Sequence, residues 1–134
     1  MKKIKGLPIP HSKHTAKLAP VALPVPSEVR LPMKMHSGSP AKPVVKAGDE
    51  VKVGQLIGEA DGRVSSPVHA SVSGKVKSIA EFDADTGQKA LSIVITSDGN
   101  QTVYENLAPP TVTNTAQFLE AVQNSGVVGL GGAG

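Results

Sequence analysis

Three features of this 134-residue chain predict a small, mainly β domain. Apolar residues recur near alternate positions around a glycine in Val51–Ile57 and again in Val72–Ile79, the period of a half-buried strand. Turn residues punctuate the runs at Ala47-Gly-Asp-Glu50, Asp61-Gly62 and Ser97-Asp-Gly-Asn100. Aromatic residues make up only 2% of the chain, so the core is expected to be built from Val, Ile, Leu and Ala. Such a core suits a thin sandwich of short strands.

The elements follow in chain order. Residues 1–28 read as an extended arm, because Pro8, Pro10, Pro20, Pro24 and Pro26 forbid helix and favour extended or polyproline II backbone. Val29-Arg-Leu-Pro-Met33 reads as an edge strand, since proline inside a sheet is confined to edges, strand starts and bulges. Met35-His-Ser-Gly-Ser-Pro40 reads as a loop, and Pro43-Val-Val45 leads into the paired runs. After Ile79 an acidic loop is expected over Glu81–Gly87, then a buried strand over Ala90–Ile95. Asn100–Tyr104 is expected to pair back as a hairpin arm, and Ala108-Pro-Pro110 to close a β domain spanning 29–110. Residues 111–134 open with a short helix. Ala116, Leu119 and Val122 recur three apart, Thr113 or Asn114 can cap its start, and Ser125-Gly126 can end it.

Charge is distributed unevenly along the chain. Residues 1–46 carry nine Lys/Arg against one acid, Glu28, whereas 47–134 carry five against ten, so a net charge of +3 hides a basic arm and an acidic body. The arm either wraps its own body or meets an acidic partner or anionic headgroups. Nucleic acid is disfavoured, because the basic residues are scattered among eight prolines with no aromatic among them to stack on bases. The absence of Cys excludes a disulfide, a thiolate metal site or an Fe–S ligand within this stretch. No apolar run approaches the ~20 residues of a membrane span. Gly6-Leu-Pro-Ile-Pro10 is too short and proline-rich for a signal core. The chain therefore reads as soluble and cytoplasm-facing, with peripheral attachment to a membrane complex left open.

The spacing Gly48-Asp-x-Val51-x-x-Gly54-Gln-x-Ile57, followed by Ser66-Pro-Val-x-Ala70-x-x-Ser73-Gly-x-Val76, resembles the biotinyl/lipoyl carrier fold and its barrel-sandwich hybrid relatives. Carriers of that fold present a lysine for covalent attachment at a hairpin tip, in a segment such as E-A-M-K. The corresponding run here is Glu59-Ala-Asp-Gly62. Lys52 lies before it, and Lys75 and Lys77 lie well past it in a strand-like run. A static module is expected, in preference to a covalent biotin or lipoyl carrier.

The last residues, Val127-Val-Gly-Leu-Gly-Gly-Ala-Gly134, formally match G-x-G-x-x-G at Gly129, Gly131 and Gly134. A dinucleotide site of that type also needs a following helix and an acid, and neither is present. Such a loop can still cradle phosphate with backbone N–H groups. A chain that stops inside such a loop reads as a fragment whose loop belongs to a further domain.

Two longer runs carry a more specific resemblance. Leu31-Pro-x-x-x-His36-x-Gly-x-Pro40-Ala-Lys-Pro43, with the hybrid spacing and the closing Gly126–Gly134, is similar in order to the N-terminal region of the C subunit of the Rnf electron-transport complex. Its glycine run is also similar to the flavin loop of the flavin-binding subunit of respiratory complex I. A propanediol-utilisation flavoprotein and the A subunit of the sodium-pumping quinone reductase share parts of the arrangement. The opening Lys5-Gly-Leu-Pro-Ile-Pro-His11 departs from the family's Gly-Gly-x-His-Pro-Pro, so no role is carried onto His11 or His14.

The resemblance implies a parent protein at the cytoplasmic face of a membrane. That parent would pass electrons between NADH and ferredoxin through FMN and two [4Fe–4S] clusters, coupled to ion transport. It implies Gly129, Gly131, Gly132 and Gly134 as the FMN/NADH loop, and the other proteins of the complex as partners. The β module would be structural: packing on the flavin domain or docking on its neighbours in the complex.

His36 and His69 also match family positions, and a pair of histidines can bind metal or relay protons. The plainer expectation is a turn histidine bonded to backbone and a histidine lining the inner turn of the hybrid. His11 and His14 are expected to be solvated. Asp83 and Asp85 lack a third ligand at EF-hand spacing. No nucleophile–base pair has a local signature. The chain alone is thus expected to be non-catalytic.

Overall fold

The computed structural model describes residues 12–83, 89–129 and 131. In chain order the elements are β1 (Glu28–Pro32), β2 (Lys42–Pro43), β3 (Glu50–Val51), β4 (Leu56–Glu59), β5 (Val68–His69), β6 (Gly74–Asp83), β7 (Lys89–Ser97) and α1 (Thr115–Asn124). Two antiparallel sheets form, one ordered β1-β7-β6-β3 and the other β2-β4-β5.

The mainly β expectation holds, and β1 is the edge strand that its proline required. The run Val51–Ile57 is divided between the two sheets. Val51 ends β3 in one and Ile57 sits in β4 of the other. Gly54, at φ 82, makes the turn between them, a conformation that an L side chain rarely adopts. The chain thereby carries a single alternating run across the sandwich.

Ile57, Ile93 and Ile95 are fully buried, and Met33, Val51 and Val76 pack with them. Among the described residues no leucine, expected in the core, is buried there, and Leu31 only packs against it from the edge strand. Leu56 and Leu91 stand 40% and 37% exposed. The β-branched residues and Met33 fill the interior, because branched side chains occupy the space above a pleated strand better than leucine. Strand β7 is buried from Ser92 to Ile95, as the sequence predicted. Its outer face is covered beside Val94, where the Arg30 guanidinium lies 4.6 Å from the centre of the Phe82 ring.

Two connections differ from expectation. β6 continues through Asp83, so Glu81–Asp83 is strand and not loop, paired with Lys89–Leu91; residues 84–88 of that loop lie outside the described residues. The segment Asn100–Tyr104 does not pair back on β7. Val103 instead forms a parallel bridge with Val53, secured by Val53 N–H to Thr102 O and Tyr104 N–H to Val53 O. The cause is the turn before it. The Ser73 hydroxyl donates to the Asp98 carboxylate at 2.6 Å and accepts from Thr102 N–H at 2.9 Å, which carries the chain across β6 toward Val53.

Helix α1 is capped as predicted: the Asn114 side chain accepts from Gln117 N–H, and Gly126, at φ 71, follows the last turn. None of its residues is buried.

Candidate functional site

A carrier function would reside at the hairpin tip after β4. That tip is tied down here. Asp61 N–H donates to the Ser65 hydroxyl, which in turn donates to the Ser39 carbonyl at 3.0 Å. Ser39 N–H donates to Val64 O at 2.9 Å. The loop Ser37–Ser39 therefore clasps the tip, and two glycines make the approach possible. Gly62 turns at φ 111 beside the Ser39 hydroxyl, and a Cβ on Gly38, at φ 130, would run into the Val64 carbonyl. Lys75 and Lys77 lie in β6, as expected, and Lys77 is ion-paired with Glu28 at 2.6 Å. No lysine occupies the tip.

The glycine run is the second predicted site. Gly129 and Gly131 are described; Gly132 and Gly134 lie outside the described residues. A Cβ on Gly131 would meet nothing within 4 Å. The run leaves the C-terminal end of α1, whose partial charge is negative, and the last turn holds no basic residue. Phosphate is favoured at the opposite, N-terminal end of a helix. The described residues therefore do not by themselves make a site that holds FMN or NADH.

A contact that sequence patterning did not reveal fixes where the glycine run starts. Gly126 sits against β5, and a Cβ there would lie 2.7 Å from the Pro67 carbonyl and 3.1 Å from His69 Nδ1. His69 lies in strand β5, paired with Leu56, and seats the end of the helix. The signal was present in the Ser125-Gly126 pair, but sequence gives no means of locating what the glycine approaches.

His36 is the expected turn histidine, with Nδ1 donating to Ser37 O at 2.9 Å. Its Nε2 is buried without a partner among the described residues. His36 and His69 share no hydrogen bond, His14 is exposed, and His11 lies outside the described residues. No group of three metal-binding side chains forms among the described residues.

The four-stranded sheet carries an open groove of about 800 Å³, lined in part by Glu50, Lys52, Lys75, Lys77, Ser73 and Asp98. Several of its charged groups are held by neighbours. Lys52 pairs with Glu105 at 2.6 Å, and this ion pair lowers the Glu105 pKa. The Ser73 hydroxyl, followed by Asn100 N–H, holds the Asp98 carboxyl below its ordinary value. Lys52, Lys77 and Asp98 thus have partners within the fold.

The comparisons with known proteins agree with this arrangement. The sequence matches the profile described as the RnfC barrel sandwich hybrid domain over residues 1–100. It is 41% identical to the C subunit of the Na(+)-translocating ferredoxin:NAD(+) oxidoreductase complex of Acetobacterium woodii, over 96% of this chain and 30% of that protein. It is 39% identical to the proton-translocating counterpart of Clostridium ljungdahlii, over 90% of this chain and 27% of that protein. The C subunit of the ion-translocating oxidoreductase complex of Rhodobacter capsulatus is 35% identical over 94% of this chain and 25% of its own length. The chain thus spans less than a third of these relatives. On the profile match and these identities, this chain belongs to the RnfC family and carries that family's barrel-sandwich hybrid domain over residues 1–100.

Proposed function

We infer that this chain is the N-terminal docking domain, spanning 29–110 with its flanks, of a membrane-associated electron-transport subunit. The parent would move electrons between NADH and ferredoxin through FMN and [4Fe–4S] clusters and couple that flow to ion transport. The hybrid domain would be static and non-catalytic, seated at the cytoplasmic face of the membrane against other proteins of the complex. Residues Gly129, Gly131, Gly132 and Gly134 would begin the flavin/NADH loop of the next domain, with phosphate-binding donors supplied by that domain.

The observation that carries the static reading is the clasped, lysine-free tip, which leaves no attachment point for a swinging arm. The names of the relatives support the wider role. Two of them carry different ions in their names at nearly equal identity, sodium at 41% and proton at 39%.

A visible absorption spectrum of the anaerobically purified full-length parent, with this chain as control, tests the reading. Flavin bands and broad Fe–S absorption are expected in the parent alone. A colourless parent would contradict the electron-transport role. Mass addition to this chain after expression with biotin and lipoate ligases would contradict the static role.

A further inference from the structure

Residues 12–27 form part of the matched family profile, yet they do not belong to the packed body. Every one of them is exposed. Leu18, Val21 and Leu23 stand 68%, 86% and 88% exposed. Their backbone hydrogen bonds are local, Ala16 N–H to Lys13 O and Leu18 N–H to Thr15 O, and the first bond from this side to the sheet is Ser97 N–H to Ser27 O. Among the described residues Lys13 and Lys17 make no ion pair, so the alternative that the arm wraps its own acidic body gains no support.

The arm is nonetheless stiffened. Pro20, Pro24 and Pro26 fix their own φ, and each restricts the residue before it to extended backbone: Ala19, Leu23 and Val25. From 19 to 26 only Val21 and Ala22 escape such restriction. A segment so restricted loses little entropy on docking, which is how extended proline-rich ligands bind apolar grooves. Its charge is one-sided, because residues 12–27 carry Lys13 and Lys17 and no acid.

We propose that residues 12–27 are a docking strap that lays Leu18, Val21 and Leu23 into an apolar cleft with an acidic rim on another protein of the complex. A lipid surface fits less well. From Pro20 to Pro26 the strap cannot form a helix, and its free backbone N–H and C=O groups there would go unsatisfied in hydrocarbon, whereas a protein groove can hydrogen-bond them. The proposal rests on the reading of this chain as part of a multi-protein complex.

Trypsin cleavage after Lys13 and Lys17 tests it. Cleavage is followed in the full-length parent alone, in the detergent-purified complex, and with vesicles of phosphatidylcholine and phosphatidylglycerol. Cleavage is expected to be about tenfold or more slower in the complex than in the free parent, and unchanged by vesicles. The double variant V21E/L23E is expected to lose about 30-fold in affinity for the rest of the complex, with the melting of the free parent unchanged. Equal cleavage in the free and assembled parent, protection by vesicles, or wild-type affinity in the variant would overturn the strap alone. Failure of the wild-type parent to assemble would overturn its reading as a member of the complex and the strap with it.

Discussion

The body and its flanks treat their apolar residues in opposite ways. Within the two sheets most apolar residues are buried or half-buried, and Ile57, Ile93 and Ile95 are fully buried. In the arm and the helix they face outward: Val21 is 86% exposed, Phe118 55% and Leu119 61%. The difference separates two kinds of information in one chain. The body buries its apolar residues within its own fold, while the flanks leave theirs exposed, as the proposed docking role requires. Charge divides elsewhere: the surplus of Lys and Arg lies in residues 1–46, which run from the arm into the first strands of the body.

The largest expected effect sharpens that contrast. Ile57→Ala should cost the isolated domain about 2–5 kcal/mol, through lost transfer energy and a residual cavity. Phe118→Ala or Leu23→Ala should stay within about 0.5 kcal/mol. Chemical denaturation of the variants measures both; an equally large loss from Leu23→Ala would break the distinction.

Gly74→Ala should come next, at about 3 kcal/mol. Gly74 has φ 151 where β6 starts, and a Cβ there would collide with the Thr96 carbonyl. Backbone is what must give way, so thermal unfolding should drop sharply and urea slopes should remain those of a cooperative fold.

Ser73→Ala should cost about 1 kcal/mol by removing the buried hydroxyl that holds Asp98 and Thr102. It also has a pH signature. The Asp98 carboxyl lies below its ordinary value of 3.8 in the folded chain. Its contribution is therefore present above that value and lost as pH falls through the lower folded value. Acid titration of stability should be flatter in Ser73→Ala than in the wild type; parallel curves would show that this hydrogen bond does not set the shift.

Asn114→Ala should have the smallest effect on the body. Losing the cap costs helix α1 about 0.5–2 kcal/mol. With no residue of α1 buried, the melting of the sheets should stay unchanged while helical circular dichroism falls.

Much of the body was legible in the sequence because its signals are local. Alternation placed β4 and β6, a continuous apolar run placed β7, proline assigned β1 to an edge, and the Asn114 cap and Gly126 bounded the helix. What escaped depends on partners distant in sequence. The Asn100–Tyr104 run has strand-like spacing, but the Ser73 hydroxyl steers it to Val53 instead of β7. The leucines were assigned to the core by hydrophobicity alone, whereas packing on pleated strands selected isoleucine and valine. The clasp of Ser39 on the hairpin tip and the seat of Gly126 on His69 join segments far apart in sequence. The missing lysine at the tip could be read from the sequence; the hydrogen bonds that close the tip could not.

Hydroxyl-radical footprinting of side chains, on this chain alone and on the parent within its complex, tests the central contrast most directly. Leu18, Val21, Leu23, Phe118 and Leu119 should be oxidised readily in the isolated chain and protected in the complex, while Ile57, Ile93 and Ile95 should be protected in both. Flank residues already protected in the isolated chain, or still oxidised in the complex, would contradict the account.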